Sequence, residues 1–290
     1  MKLIVKFNLV LSLVFLVGLG GAAYVSHEVL QRNARDEILQ NARIMMQGSL
    51  AARGYTISQI TPLLQNQLNY EFLPQTVAAY AATEYFNELR KQYPDYTYKE
   101  ATLNPTNPRD RATDWEADIV NSFRNTQGQT EIMGERDTPA GRTLYLARPI
   151  KITDPGCLRC HSVPDAAPAS MLARYGSANG FGWQLNEIVG AQVVSVPMEV
   201  PIQRADATFR VFMVLLVALV GFIFVLLNIL LITLVIRPVN RLARIADRVS
   251  LGEMNVEEFP VKGRDEISTL AESFGRMRKS LVHALKMLES

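Results

Sequence analysis

Two uninterrupted apolar runs divide the chain. The first is Leu9 to Val25, preceded by Lys2 and Lys6; the second is Val211 to Ile236, closed by Arg237. A helix needs about 20 apolar residues to cross a hydrocarbon core, within a range of ~17–25. Both runs therefore predict transmembrane helices, the second long enough to tilt. A cleaved signal peptide competes for the first run, because its apolar core is short and Gly20-Gly21-Ala22-Ala23 is small. No break follows it, however: residues 28–53 continue in helix-forming residues.

Between the runs the periodicity is that of helices first and strands later. Val29, Leu30, Ile38, Leu39, Ala42, Met45, Met46 and Leu50 mark one stripe of a long helix over 28–53. Val77, Tyr80, Ala81, Tyr85 and Leu89 predict a second helix over 74–92, ended by Tyr93-Pro94-Asp95. Residues 103–111 are turn-forming, and a third helix is expected over 114–125. Residues 130–135 and 142–152 flank a turn cluster and predict a β-hairpin. A last strand is expected over 190–197. This order predicts an α+β domain.

Charge orients the spans. Lys2 and Lys6 flank the first, and Arg237, Arg241, Arg244 and Arg248 follow the second. Basic flanks stay cytoplasmic, so both termini are expected inside and residues 26–210 outside. That segment holds 18 Lys and Arg against 20 Asp and Glu. The whole chain has 290 residues, a net charge of +2, 48% hydrophobic residues and 20% charged ones. It is too apolar to be disordered, too charged for a polytopic membrane protein, and too nearly neutral to suggest nucleic acid. The expected order is therefore cytoplasmic 1–8, span 9–25, exported domain 26–210, span 211–236 and cytoplasmic 237–290.

The cysteines carry the most specific signal. Only two are present, and they sit in Cys157-Leu158-Arg159-Cys160-His161. Thiols at this spacing reach the two vinyl groups on one edge of a haem and become thioethers, and the adjacent histidine ligates the iron. One covalently bound haem c on Cys157 and Cys160, with His161 as proximal ligand, is the expected cofactor. Three other readings remain open. A redox Cys-x-x-Cys usually opens a helix in a thioredoxin-like setting, a zinc site typically takes four ligands, and a chance match is the third. Met46 or Met45 is the candidate distal ligand; Met133, Met171 and Met198 are further exported methionines. An open sixth position, able to bind a small gas, is equally consistent. Trp183 and Phe181 are candidates to pack on the macrocycle. Arg109, Arg111, Arg142 and Arg148 are candidates to pair with propionates. No nucleophile–base pair, phosphate loop or paired-carboxylate motif is recognisable, so no enzymatic function is expected.

The tail has its own pattern. Val239, Leu242, Ala246 and Val249 form one helical seam. A connector holds Leu251-Gly252-Glu253, Phe259-Pro260 and Gly263. Asp265-Glu266 then opens a second helix with seam Ile267, Leu270, Phe274, Met277, Leu281, Ala284 and Leu288. Its 3–4 alternation is that of a coiled coil. Two copies would bury both seams in a four-helix bundle, so a homodimer is expected.

Two resemblances follow. Arg237-Pro238-Val239-Asn240-Arg241-Leu242, with Asp265-Glu266-Ile267 ahead of Leu270, Phe274 and Met277, resembles a HAMP linker of bacterial membrane receptors. Residues 28–205 resemble a bacterial c-type haem sensor domain with a PAS-like fold. The residues that carry this are Tyr93 to Tyr96, Asn104 to Asn107, Asp114-Trp115-Glu116, Cys157 to His161 and Gly190 to Pro197. The resemblance implies haem on Cys157 and Cys160, His161 as proximal ligand, and a bacterial inner (plasma) membrane protein crossing twice with its haem domain periplasmic. Some relatives use a distal cysteine, which this sequence cannot supply; others use a helix methionine. The expected function is a haem-based transmembrane sensor of redox state or a small gas, signalling through the HAMP unit to a separate cytoplasmic output protein such as a kinase. A membrane-anchored electron carrier is the alternative.

Overall fold

The computed structural model describes residues 2–68, 70–139, 141–257, 263 and 265–289, with side chains 285, 286, 288 and 289 excepted. The turn residue Ala140, the connector Phe259-Pro260 and the side chain of the seam position Leu288 lie outside what is described. The chain divides into two compact units, one of residues 1–26 with 209–290 and one of residues 27–208.

Helix α1 (Leu3–Tyr55) contains the first apolar run and continues into the 27–208 unit. Its buried residues Ala34, Ile38, Ala42, Met46 and Ser49 recur every three or four positions, as one face of a helix requires. A π-helical turn at Thr56–Ile60 follows, and short helices α2 (Thr61–Leu63) and α3 (Gln65–Leu68) complete the segment. Pro62 explains the widened turn, because its ring clashes with the carbonyl four residues back and it has no N–H to donate.

Helix α4 (Ala78–Arg90) turns a slightly different face inward than its apolar periodicity predicts. Ala82 and Phe86 are buried, whereas Tyr85 is exposed. Phe86 stacks on Tyr98 with ring centroids 4.8 Å apart and planes 17° from parallel. A wholly apolar ring fits there, and Tyr85 keeps its hydroxyl out of the core. Helix α5 (Asp114–Asn125) forms where expected, and its start is fixed by a reciprocal capping box between Thr113 and Glu116.

Four strands form one antiparallel sheet in the order β1-β4-β3-β2. They are β1 (Thr97–Thr102), β2 (Ile132–Thr138), β3 (Gly141–Lys151) and β4 (Ile188–Pro197). The hairpin and last strand are those expected, and β1 is an addition. Strand β4 lies between β1 and β3 and is buried on both faces. One face packs Leu144, Leu146, Val194 and Val196 against Ile38, Ala42 and Met46 of α1 and Phe86 of α4. The other packs Ala147, Ala191 and Val193 against Ile119, Val120 and Phe123 of α5. The domain is α+β, as expected.

Between β3 and β4 the chain makes a long excursion carrying α6 (Leu158–His161) and α7 (Ala169–Tyr175). Its base is closed by two backbone bonds, Ile152 N–H to Glu187 O at 2.9 Å and Asn186 N–H to Ile152 O at 2.7 Å. Asn186 takes a positive φ of 67° there, a conformation asparagine tolerates better than most residues.

Helix α8 (Glu199–Leu230) starts in the 27–208 unit and continues into the other, where it runs into a π-helical stretch, Leu231–Ile236, and then α9 (Arg237–Ser250). Pro238 stands two residues beyond this second π stretch, as Pro62 stands beyond the first. Helix α9 buries Leu242, Ile245 and Val249. Ile245 and Val249 pack with Val256, Met254 and Phe274, the last from α10 (Glu266–Glu289). Of the expected α10 seam, Leu270, Met277 and Leu281 remain exposed in the single chain.

Candidate functional site

The excursion presents Cys157, Cys160 and His161 on barely more than one helical turn. Asp154 starts it: its carboxylate accepts from the Gly156 N–H at 2.7 Å, shaping the 3-10 turn Pro155–Cys157 that leads into α6. Residues three and four apart share a helix face, so Cys157 shares a side with both Cys160 and His161. The end of α6 is tied down by the 180–183 segment. Gly182 N–H donates to Ser162 O at 2.8 Å, and Trp183 N–H donates to His161 O at 3.1 Å.

Three residues set the imidazole. Trp183 stacks on it with centroids 4.0 Å apart and planes 13° from parallel. The Gly180 carbonyl lies 2.8 Å from Nδ1, and Thr106 Oγ1 lies 3.4 Å from the same atom. A carbonyl only accepts, so Nδ1 carries the proton and Nε2 keeps the lone pair. Burial pushes the His161 pKa down, against the pull of the Gly180 carbonyl. Neutral imidazole with Nε2 free is the form that ligates a metal. Gly180 is held in turn by Asn104, whose carbonyl accepts from the Gly180 N–H at 3.2 Å while its amide donates to Phe181 O at 3.2 Å.

The thiols are free of one another and half-buried. Burial and then Asp154 push the Cys157 thiol up, with Arg53 pulling the other way. Burial likewise pushes Cys160 up. A redox Cys-x-x-Cys relies on the opposite shift. Among the described residues, no group of three or more His, Cys, Asp and Glu gathers as a metal site. Two thiols and a neutral imidazole thus stand together on one short helical segment, the set of groups that covalent haem attachment would use.

The remaining expectations distribute as follows. Met46 is fully enclosed among Ile38, Ala42, Phe86 and Tyr98, and Met45 lies at the margin of that cluster. Met171 and Met198 are buried and Met133 is exposed. The four arginines considered for propionates have protein partners: Arg109 with Glu84, Arg111 with Asn179, Arg142 with Glu135 and Arg148 with Glu131. A surface groove lined by Trp115, Ile119, Ile132, Arg136 and Tyr145 contains none of the motif residues.

The structure adds a buried polar group that the sequence reading missed. Arg53, on the last turns of α1, donates to both carboxylate oxygens of Glu100 on β1. The Tyr98 hydroxyl donates to Glu100 Oε1 at 2.7 Å. Burial and then Glu100 push the Tyr98 phenol far up, so it stays protonated and donating. Burial opposes the Arg53 charge, but the Glu100 carboxylate outweighs it and holds its pKa above the ordinary value.

Comparison with known proteins comes to the same region. The sequence profile of the Tll0287-like family (Tll0287) matches residues 31–197, and that of the HAMP domain matches residues 230–283. No curated protein matches. A solved structure, the crystal structure of the cyanobacterial heme-protein Tll0287, is similar at 17% identity and a TM-score of 0.43, covering 56% of this chain and 95% of that one.

Proposed function

This chain belongs to the Tll0287-like family, and from that premise we propose that it is a membrane-anchored haem sensor that signals through its HAMP domain. Two helices are long and apolar enough to cross a membrane, and the HAMP domain, residues 230–283, begins within the second. Cys157 and Cys160 would hold the haem as thioethers, and His161 Nε2 would ligate the iron. The haem supplies one-electron chemistry and a position for a small gas. The observation that carries this reading is the preset imidazole: Gly180 takes the Nδ1 proton, Trp183 fixes the ring plane, and burial keeps the ring neutral.

The chain's own residues supply the rest. The basic flanks put the haem domain outside and the HAMP helices inside. The exposed α10 positions Leu270, Met277 and Leu281 give a second copy of the chain an apolar seam to cover. A change at the haem shifts the domain between two states and resets the packing of that dimer, which an output partner reads.

The test is the mass and absorption spectrum of the purified protein. One haem added to the polypeptide mass, a Soret band, and CO or NO binding to the reduced form support the reading. Mass equal to that of the amino acids alone, with no Soret band, overturns it. Failure of gases to bind, with no redox-dependent change in cytoplasmic cross-linking, leaves an electron carrier instead of a sensor.

A further inference from the structure

Helix α5 and the sheet edge flank an open groove that the haem reading does not use. On α5, Trp115, Asp118, Ile119 and Ser122 are spaced by three and four positions and share one face. On the edge strand β2, Ile132 and Arg136 share a face, with Gly134 between them. Gly134 pairs with Tyr145 of β3, and a Cβ at Gly134 would come within 2.6 Å of the Tyr145 hydroxyl. The missing side chain is what lets that hydroxyl lie across the strand. The groove has a volume of about 420 Å³, within the range of small-molecule sites.

Two polar side chains of the groove are already committed. Glu135 pairs with Arg142 at 2.6 Å, and the Ser122 hydroxyl donates to Gln129 Oε1 at 3.4 Å. Two opposite charges are not. Arg136 Cζ lies 4.0 Å over the Trp115 ring, a contact that holds the cation in place without giving its N–H groups an acceptor. Among the described residues, neither Arg136 nor Asp118 makes an ion pair or a side-chain hydrogen bond, with each other or with any other group. A half-buried guanidinium and an exposed carboxylate thus line one groove without closing on each other. An anion alone would suit Arg136 and be repelled by Asp118; a cation alone would do the reverse. A zwitterion suits both, and an apolar body on it meets Ile119, Ile132 and the Tyr145 ring.

We propose that this groove is a second recognition site, independent of the haem, that takes a free α-amino acid with an apolar side chain. Arg136 holds the carboxylate through its paired N–H donors, and Asp118 holds the ammonium. Trp115 keeps the guanidinium from swinging into solvent.

The experiment is equilibrium dialysis of labelled phenylalanine against the full-length, haem-loaded protein in detergent. Hydrocinnamate, which lacks the ammonium, and phenethylamine, which lacks the carboxylate, are measured beside it. Phenylalanine is expected to bind saturably, and each analogue about tenfold more weakly or worse, as loss of a charged hydrogen bond requires. Arg136→Gln is expected to weaken phenylalanine and hydrocinnamate and leave phenethylamine unchanged. Asp118→Asn is expected to weaken phenylalanine and phenethylamine and leave hydrocinnamate unchanged. Both variants are expected to keep the parent's Soret band, so that this site is read separately from the haem. If Arg136→Gln does not fold, Asp118→Asn still decides, because that side chain is exposed and holds nothing in place. No saturable binding of phenylalanine, an analogue binding as tightly as phenylalanine, or binding indifferent to Asp118→Asn overturns the proposal.

Discussion

Nδ1 of His161 lies 2.8 Å from the carbonyl oxygen of Gly180, and Gly180 adopts a φ of +85°. That carbonyl reaches the imidazole because the residue lacks a Cβ. A Cβ at Gly180 would come within 2.0 Å of Thr106 Oγ1 and 2.8 Å of Thr106 Cα. The close approach of these two segments sets the ring's tautomer.

Gly180→Ala is therefore expected to destabilise the domain by about 1–3 kcal/mol from backbone strain alone. The contact with Thr106 adds to that cost. Thermal melting reads the loss, and the absorption spectrum reads the disturbed imidazole. A variant that melts with the parent and keeps its spectrum would show that Gly180 does not position His161.

His161→Gly separates attachment from ligation. Cys157 and Cys160 remain, so the haem mass stays on the chain. The Soret band shifts, and added imidazole moves it back toward the parent. A spectrum unchanged by the substitution would show that another residue ligates the iron on that side.

Asp110 gives a pH signature. Burial raises its pKa from 3.8 to about 6; Arg109 opposes this and Glu100 adds to it, with Lys99 opposing less. Between those pH values the folded domain holds a proton that the unfolded chain has released. Stability from this group is thus present below pH 3.8 and lost as pH rises through about 6. Asp110→Asn is expected to melt above the parent at pH 7.5, with the difference shrinking toward zero at pH 4. A variant melting below the parent at pH 7.5 would mean that the Arg109 contact outweighs burial.

The tail offers a test of association. Met277 is 60% exposed and Leu281 42% exposed in the single chain. Met277→Lys with Leu281→Glu should leave haem binding and the melting of the 27–208 domain unchanged while abolishing the dimer. Cross-linking through a cysteine placed at Ser280 reads this. Undiminished cross-linking would place the dimer contact elsewhere.

The sequence displays part of this molecule and conceals part, for physical reasons. The capped helix α5, the hairpin and strand β4 have ordinary periodicities and form where those periodicities put them. Cys157, Cys160 and His161 are adjacent in sequence, so their grouping is visible without a fold. Strand β1 is concealed because Glu100, a residue type that normally faces water, points into the core. Its partner Arg53 is 47 residues away on a helix whose apolar stripe stops short of it. Gly180, Trp183 and Thr106 meet His161 only after the excursion folds back. The motifs Asn104 to Asn107 and Phe181 to Trp183 were the available hints. In α4 the choice between Tyr85 and Phe86 depends on Tyr98, which no local pattern contains.

The bonds joining Ile152 to Asn186 and Glu187 close the sheet beneath the excursion independently of its contents. Strands β3 and β4 can pair before any cofactor arrives, leaving the 153–185 segment as a cartridge mounted on a finished frame. Substitutions inside it can alter which prosthetic chemistry is mounted, while the frame that reads the result stays the same. An evolving lineage could thus change what it detects without rebuilding how it reports.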